Sequence, residues 1–141
     1  MSRITEEEII QFLKEETYED SITSYTDIFN DCGVSGDDSH ELIEKYHKKY
    51  NVDMSNYLWY FHCDEEGTGS IGGMFFKAPY KRVNRIPVTP KMLTEFANSK
   101  KWKIDYPEHK LSKYRYDLLI NQILFLIILI WLISILARKY F

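Results

Sequence analysis

About twenty consecutive residues near the C-terminal end of the chain, 118–137, read LLINQILFLIILIWLISILA and carry no charged side chain. Only Asn121, Gln122 and Ser134 are polar in this run. A helix of about twenty residues, at about 1.5 Å per residue, crosses the roughly 30 Å hydrocarbon core of a bilayer. A chain of 141 residues is too small to cover every face of such a helix in a soluble core. The run therefore predicts a transmembrane helix.

Basic side chains flank the predicted span unequally. Six Lys or Arg residues lie between positions 100 and 115, whereas Arg138 and Lys139 follow the span. Because an excess of Lys and Arg marks the cytoplasmic side, we expect a single-pass protein with a cytoplasmic N-terminal part and a C-terminal anchor. The polar and acidic N-terminal residues do not resemble a signal peptide. Five basic residues are expected to contact lipid head groups: Lys110, Lys113, Arg115, Arg138 and Lys139.

Charge is divided along the rest of the chain. Residues 1–66 hold 5 Lys or Arg and 17 Asp or Glu, a net charge of −12, and residues 67–117 hold 11 and 4, a net charge of +7. We expect the basic part to lie next to membrane lipids and the acidic part to point away, available to a basic protein partner. Nucleic acid is not an expected partner, because the basic part adjoins the span and contains no recognisable binding module. In the reducing cytoplasm, Cys32 and Cys63 should stay reduced.

Three amphipathic helices are predicted before the span. The first follows Thr5, whose spacing to Glu8 is that of a capping box, and the third follows Thr89-Pro90, an N-cap with proline at the first helical position. A long loop, 17–37, separates the first two helices and needs apolar anchors. The first helix is predicted to end near Glu16, the second to run from Asp37 or Asp38 to near Tyr50, and the third to end before Trp102. The expected anchors of the loop are Ile22, Tyr25, Ile28 and Phe29. The expected buried faces of the three helices are, in chain order, Ile9, Ile10, Phe12 and Leu13; Leu42, Ile43, Tyr46 and Tyr50; and Met92, Leu93, Phe96 and Ala97.

Residues 65–88 differ in composition, with four glycines and two prolines. We expect either a mobile insertion or a β-hairpin over Phe75 and Phe76. A phosphate-binding loop is not favoured, because no GK[ST] sequence follows the glycines. The predicted organisation is a helical domain over 1–105 that contains this insertion, a basic connector over 106–117, the span over 118–137 and a short tail over 138–141.

Two stretches carry a resemblance to a known family. "DIFNDCGVSGDDSHELIEKYHKKYNVDMSNYLWYF" and "RIPVTPKMLTEFANSKKW" resemble the bacterial family known as domain of unknown function fourteen-ninety-three. The helical order and the acidic entrance to the second helix are similar to acyl carrier proteins. The resemblance implies a mainly α, acyl-carrier-like fold in a bacterial protein, and it implies no activity. For a bacterial chain, the predicted span would lie in the inner membrane.

The attachment site of a carrier is altered in this chain. Carriers hold phosphopantetheine on the serine of an Asp-Ser-Leu sequence, and alignment on Glu41-Leu42 places Gly36 at that position. Asp37 and Asp38 would also repel a phosphate at this helix N-terminus. We therefore expect no cofactor. The alternative is a true acyl or peptidyl carrier with phosphopantetheine on one of the flanking serines, Ser35 or Ser39.

The remaining His and Cys residues give little support for a metal site or a catalytic site. His40 and His47 lie two helical turns apart, about 11 Å, which is too far to share a metal. His62, Cys63 and Asp64 could be combined with Cys32 as metal ligands, but their spacing does not select a metal site. No oxyanion loop accompanies a Cys–His pair. We expect no metal and no catalytic residue.

The sequence thus predicts a membrane-anchored, non-enzymatic, acyl-carrier-like interaction module. Carrier domains are recognised through the second helix, so the resemblance implies that its acidic residues bind an unidentified basic protein partner. A further alternative is a small membrane effector or accessory subunit that acts through its span, with Asn121 and Gln122 hydrogen-bonded between helices. The predicted docking residues are Asp37, Asp38, Glu41 and Glu44.

Overall fold

The structure is a computed structural model that describes residues 3–67 and 69–140. Within these residues the regular secondary structure is helical, apart from one isolated bridge between Asp53 and Lys101, which confirms the prediction of a mainly α fold. Two single 3₁₀ turns connect the helices, at Trp59–Phe61 and Pro79–Arg82. The helices are α1 (Glu6–Thr17), α2 (Gly36–Tyr50), α3 (Ile71–Phe75), α4 (Pro90–Ser99) and α5 (Tyr116–Tyr140).

Helix α1 begins as its capping residues predict. The Thr5 hydroxyl accepts a hydrogen bond from the Glu8 amide, and three Glu residues in the first turn suit the positive end of the helix dipole. The helix ends at Thr17, and the C-cap residue Tyr18 has a left-handed backbone (φ 56°) and an amide that donates to the Lys14 carbonyl. Of the predicted apolar face, Ile10 is partly exposed; the buried residues are Ile9, Phe12 and Leu13.

Helix α2 buries all four of its predicted apolar residues: Leu42, Ile43, Tyr46 and Tyr50. The Tyr46 hydroxyl donates to the Leu93 carbonyl of α4 at 2.6 Å, which joins the two helices across the core. The ammonium group of Lys100 donates to the Tyr50 carbonyl at 2.8 Å, so the end of α4 caps the end of α2.

Helix α4 also begins and ends where the sequence predicts. The Thr89 hydroxyl accepts from the Met92 amide at 3.4 Å, and Pro90 occupies the first helical position. Met92 is only partly buried, whereas the other predicted core residues are buried: Leu93, Phe96 and Ala97.

The loop between α1 and α2 is held by three of its four predicted anchors. Ile22, Ile28 and Phe29 are buried. The fourth prediction is wrong, because the Tyr25 side chain is 76% exposed and its ring lies beside the Lys91 ammonium group instead of in the core. Single exposed aromatic residues are common on protein surfaces, and an apolar side chain alone does not specify burial.

Aromatic residues around Tyr106 form the second half of the core. The Tyr106 hydroxyl accepts hydrogen bonds from the Leu58 amide (3.2 Å) and from the indole nitrogen of Trp102 (2.9 Å). It donates to Nε2 of His62 (2.8 Å), whose Nδ1 donates to the Ile86 carbonyl (2.8 Å). Tyr106 therefore belongs to the packed domain, although the predicted boundary assigns it to the connector.

The glycine-rich segment contains a short helix, and of the two conformations expected for it the β-hairpin is wrong. Residues 71–75 form α3, which is capped by a hydrogen bond from the Gly73 amide to the Ser70 hydroxyl, and a 3₁₀ turn follows. Gly72 is buried against α5. A short helix can pack one glycine closely against a second helix, whereas a lone two-stranded hairpin has little independent stability.

Helix α5 contains the predicted span and begins two residues before it. Over its most apolar window the mean hydropathy is 2.7, and none of that window is buried by the rest of the chain. Among the described residues it is the one helix long and apolar enough to cross a membrane.

Candidate functional site

The acidic strip of α2 consists of Asp37, Asp38, Glu41 and Glu44, the four predicted docking residues. All four are exposed. Asp37, Glu41 and Glu44 follow i, i+4, i+7 spacing and share one line along the helix, with Asp38 at the edge of that line.

Two of these carboxylates are paired within α2. Glu41 lies 2.8 Å from the Lys45 ammonium group and Glu44 lies 2.5 Å from that of Lys48. Within residues 3–67 and 69–140, Asp37 and Asp38 take part in no ion pair. The negative charge at the N-terminal end of the strip is therefore not compensated by lysine, and a basic partner would not have to displace an intramolecular ion pair there.

The first turn of α2 faces a cavity of about 370 Å³ at the start of α5. Asp37 and His40 line it from one side, and Arg115 and Asp117 line it from the other. This end of α2 therefore lies beside the start of α5, and the orientation of the acidic part relative to the membrane stays a prediction. Glu65 and Glu66 also line this cavity, and the Asp64 carbonyl accepts a hydrogen bond from the Gly36 amide at 2.9 Å.

At the start of α2, where a carrier would hold its phosphopantetheine arm, neighbouring residues leave little room for one. Gly36 has a left-handed backbone (φ +53°), and a Cβ placed on it would collide with the Glu66 side chain. A serine at this position would be strained by its backbone alone. Ser39 is fully buried; its hydroxyl donates to the Gly36 carbonyl at 2.6 Å and lies 3.2 Å from the sulfur of Cys63. Of the two flanking serines, this burial argues against Ser39 as a modification site.

Ser35 stands at the N-cap position of α2 but does not cap the helix through its side chain. It is partly exposed and borders a cavity of about 230 Å³, together with Asp64 and Arg85. Arg85 is also tied to the loop before α2 by an ion pair with Asp27. The Ser35 hydroxyl thus remains the more accessible of the two candidates.

His62 and Cys63 belong to the core. Both ring nitrogens of His62 are hydrogen-bonded, and the ring stacks on that of Tyr57 at 5.6 Å. Burial lowers the pKa of His62 to about 4, and burial raises the pKa of the Cys63 thiol, as it does that of Cys32. A protonated, buried thiol is a poor nucleophile and a poor metal ligand.

No group of three or more His, Cys, Asp or Glu side chains in the described part of the chain is arranged to hold a metal ion. His40 and His47 are both exposed on α2, and Nδ1 of His47 lies 2.6 Å from the Val52 carbonyl. Cys32 and Cys63 are free thiols.

One of the predicted lipid-contacting residues has another role. Arg115 makes a two-pronged ion pair with Glu65 (2.9 and 2.8 Å) and a second with Asp117 (2.9 and 2.6 Å). These four hydrogen bonds engage the guanidinium in protein contacts, and the head-group contact of Arg115 stays a prediction. The other four predicted residues are exposed: Lys110, Lys113, Arg138 and Lys139.

A junction joins the glycine-rich segment to the first turns of α5. The Gly72 amide donates to the side-chain oxygen of Asn121 at 2.8 Å, and a Cβ on Gly72 would collide with the Asp117 carbonyl oxygen. The rings of Phe76 and Tyr116 lie 5.4 Å apart. Sequence analysis missed this junction, although Gly72-Gly73 and the polar Asn121 inside an apolar run were visible signals of close packing.

A family described as Protein of unknown function (DUF1493) matches residues 2–105. The chain belongs to the DUF1493 family. No curated protein and no solved structure matches the chain. The part that matches DUF1493 contains the acidic strip, Gly36 and the glycine-rich segment, and it ends before α5.

Proposed function

We propose that this DUF1493 protein is a membrane-anchored, non-enzymatic interaction module of the bacterial inner membrane. Helix α5 would be the anchor and the acyl-carrier-like helical domain would lie in the cytoplasm. The observation that carries the proposal is that every residue of α5 over 125–137 is exposed and all but Ser134 are apolar, so the helical domain leaves this length of the helix uncovered. Such a surface needs a hydrocarbon environment.

The charges at the two ends of α5 support the cytoplasmic location of the domain. Lys110 and Lys113 are exposed in the connector before α5, and further exposed cations lie on the same side at Lys77 and Lys81. Loops rich in Lys and Arg remain on the cytoplasmic side, and anionic head groups attract each such residue by about 1 kcal/mol.

The acidic strip would bind the partner. Its exposed carboxylates favour a basic surface, and Asp37, which forms no ion pair with a described residue, lies near the first turn of α5. This position favours a partner that is itself close to the membrane, such as a basic segment next to another membrane helix. The left-handed backbone of Gly36, which a serine could adopt only under strain, and the burial of Ser39 support a domain that no longer carries a prosthetic arm.

Partner capture by the full-length protein in detergent tests the role of the strip. The test variant neutralises the strip with Asp37→Asn, Asp38→Asn, Glu41→Gln and Glu44→Gln. The matched control removes the same number of charges from exposed carboxylates elsewhere, with Glu7→Gln, Asp20→Asn, Glu95→Gln and Asp105→Asn.

We expect the strip variant to lose capture of the partners that the wild-type protein enriches, and the control to retain it. Addition of salt should weaken the wild-type capture, because exposed charges are screened within about 10 Å at 0.1 M ionic strength. Equal capture by both variants would contradict the docking role. Recovery of the wild-type protein in the soluble fraction of cells would contradict the anchoring role.

A carrier modified on Ser35 is the second candidate. It is supported by the partial exposure of Ser35 and by the absence of a capping bond from its side chain. Coexpression with a phosphopantetheinyl transferase, followed by intact-mass measurement, tests it. A mass addition that disappears in Ser35→Ala and persists in Ser39→Ala would favour the carrier over the interaction module.

An effector that acts through its span is the third candidate. Gln122 is exposed within the apolar run, and a polar side chain in that environment favours hydrogen bonding to another helix. Asn121 is less suited to this role, because Gly72 already uses its side-chain oxygen. Replacement of residues 122–137 by an unrelated apolar sequence should abolish function if this candidate is correct, and should preserve it if α5 is only an anchor.

A further inference from the structure

Helix α3 and the residue after it carry a group of exposed apolar side chains. Met74 is 82% exposed, Phe75 is 72% exposed and Ile71 is 55% exposed. Phe76, which follows the helix, is 38% exposed. Isolated exposed apolar residues are common, but four within six positions form a local patch that water solvates poorly. We call these four residues the apolar foot.

The apolar foot is fixed next to the start of the span. Gly72, inside α3, contacts the Asp117 carbonyl and the Asn121 side chain. Asn121 lies three residues into the apolar run, which is about 4.5 Å along the helix axis. A bilayer that surrounds residues 118–137 would therefore have its boundary at the level of α3.

Charged and aromatic residues around the foot match a membrane interface. Lys77, Lys81 and Arg82 follow it and are exposed. Tyr116 contacts Phe76, and Tyr114 is exposed nearby in sequence. Amphipathic segments that lie in the interface combine buried Phe, Ile or Leu with Lys and Arg at head-group level, and Tyr is enriched at the same depth.

We propose that the apolar foot inserts into the interfacial layer of the cytoplasmic leaflet beside α5. The occupant of this surface is lipid, and the inference rests on the proposed anchoring of α5. Two membrane contacts, the foot and the span, would fix the orientation of the domain. The junction at Gly72 would prevent the domain from rotating freely on the connector, so the acidic strip would be presented at a constant height above the bilayer.

Site-specific photocrosslinking in vesicles tests this proposal on the full-length protein. A benzophenone amino acid replaces Phe75 or, in a second variant, Met74. The negative control replaces Tyr25, an aromatic residue of similar exposure in the loop before α2, and the positive control replaces Ile128 in the middle of the span. The proteins are reconstituted into vesicles of phosphatidylethanolamine and phosphatidylglycerol, irradiated and analysed by mass spectrometry for lipid adducts.

We expect lipid adducts at positions 74 and 75 with yields close to that at 128 and several-fold above that at 25. Adducts at 128 with yields at 74 and 75 no higher than at 25 would overturn the apolar foot while leaving the anchor in place. No adduct at 128 would overturn the anchoring itself. Crosslinked dimers at 74 and 75, in place of lipid adducts, would overturn the proposal in favour of contact between two copies of the chain.

Discussion

The aromatic core and the junction with α5 are each organised around one hydrogen-bonding residue, but the two residues differ in charge. Tyr106 is uncharged, and its hydroxyl is hydrogen-bonded to Leu58, Trp102 and His62. Arg115 is charged, and its guanidinium is hydrogen-bonded to Glu65 and Asp117. The Tyr106 ring packs against those of Phe61 and His62, whereas the side chains of Arg115 and Glu65 are 30% and 32% exposed.

This difference determines how each region should respond to perturbation. Buried neutral groups that lose a partner keep their full desolvation cost, so the core should be sensitive to the loss of single hydrogen bonds. Partly exposed ion pairs are screened by salt and contribute less. We therefore expect the core to control global unfolding and the junction to control local opening of α3 against α5.

Tyr106→Phe should have the largest effect. The substitution leaves the Leu58 amide, the Trp102 indole and Nε2 of His62 without their partner. At about 1–3 kcal/mol for each unsatisfied buried group, the free energy of unfolding should fall by about 4 kcal/mol. Urea denaturation of the full-length protein in detergent, followed by tryptophan fluorescence, measures it.

Tyr60→Phe is the matched control for this prediction. The Tyr60 hydroxyl contacts Nε2 of His109 at 2.8 Å, and that hydrogen bond is exposed. Its loss should cost less than about 1 kcal/mol, because water replaces the partner. Equal losses of unfolding free energy in the two variants would show that the Tyr106 hydroxyl stabilises the fold no more than an exposed hydroxyl does. This result would contradict the difference expected between core and junction.

Acid should destabilise the core through His62. Its pKa is about 4 in the folded protein because of burial, below the usual value of about 6.5 that the unfolded chain has. The unfolded state therefore binds the additional proton as the pH falls below 6.5, so stability is complete above pH 6.5 and declines between pH 6.5 and pH 4. The total loss should be about 3 kcal/mol.

His62→Asn isolates this contribution. An Asn side chain can still donate to the Ile86 carbonyl from a position close to that of Nδ1, but it does not titrate. The variant should be less stable than the wild type at pH 7 and should lose less stability between pH 6.5 and pH 4, as measured by urea denaturation at several pH values. Parallel pH profiles for the two proteins would show that His62 is not the titrating group.

Arg115→Gln should affect the junction and leave the core nearly unchanged. The substitution leaves Asp117, whose side chain is 8% exposed, without its cation. After allowance for the partial exposure of Arg115, a local cost of about 1–2 kcal/mol is expected. Hydrogen exchange in residues 71–82 should accelerate roughly tenfold, because 1.4 kcal/mol corresponds to a factor of ten.

Arg82→Gln is the control, since Arg82 lies in the same segment and donates to the Lys77 carbonyl from an exposed side chain. Its hydrogen exchange should match the wild type. Loss of global stability in Arg115→Gln, comparable with that of Tyr106→Phe, would mean that the junction and the core unfold as one unit.

The core helices could be predicted from the sequence, because local signals specify them. Thr5 and Thr89-Pro90 mark helix starts through their own chemistry, and the apolar spacing of Leu42, Ile43 and Tyr46 predicts the buried face of α2 without knowledge of the fold. The exposed acidic strip follows from the same periodicity. These features depend on neighbours within one or two helical turns.

The junction could not be predicted, because its contacts join residues about fifty positions apart. Glu65 pairs with Arg115, and Gly72 with Asn121, only after the fold has placed the two segments together. Local composition favoured a loop or hairpin for the glycine-rich segment, and the value of Gly72 for close packing against α5 became evident only in three dimensions. The burial of Ser39 is likewise a tertiary property.

The smallest predicted effect tests whether the stability of the core can change while the local opening of the junction stays the same. Tyr18 ends α1 with φ 56°, and its side chain is 93% exposed. Tyr18→Gly relieves a left-handed strain of about 1–2 kcal/mol and adds about 0.5–1 kcal/mol of unfolded-chain entropy, so stability should rise by about 0.5 kcal/mol. Tyr18→Ala, which keeps a Cβ, should show no gain in urea denaturation. Because Tyr18 caps α1, which packs against α4, hydrogen exchange of residues 71–82 should stay at the wild-type rate. A parallel slowing there would mean that opening of the junction requires unfolding of the core.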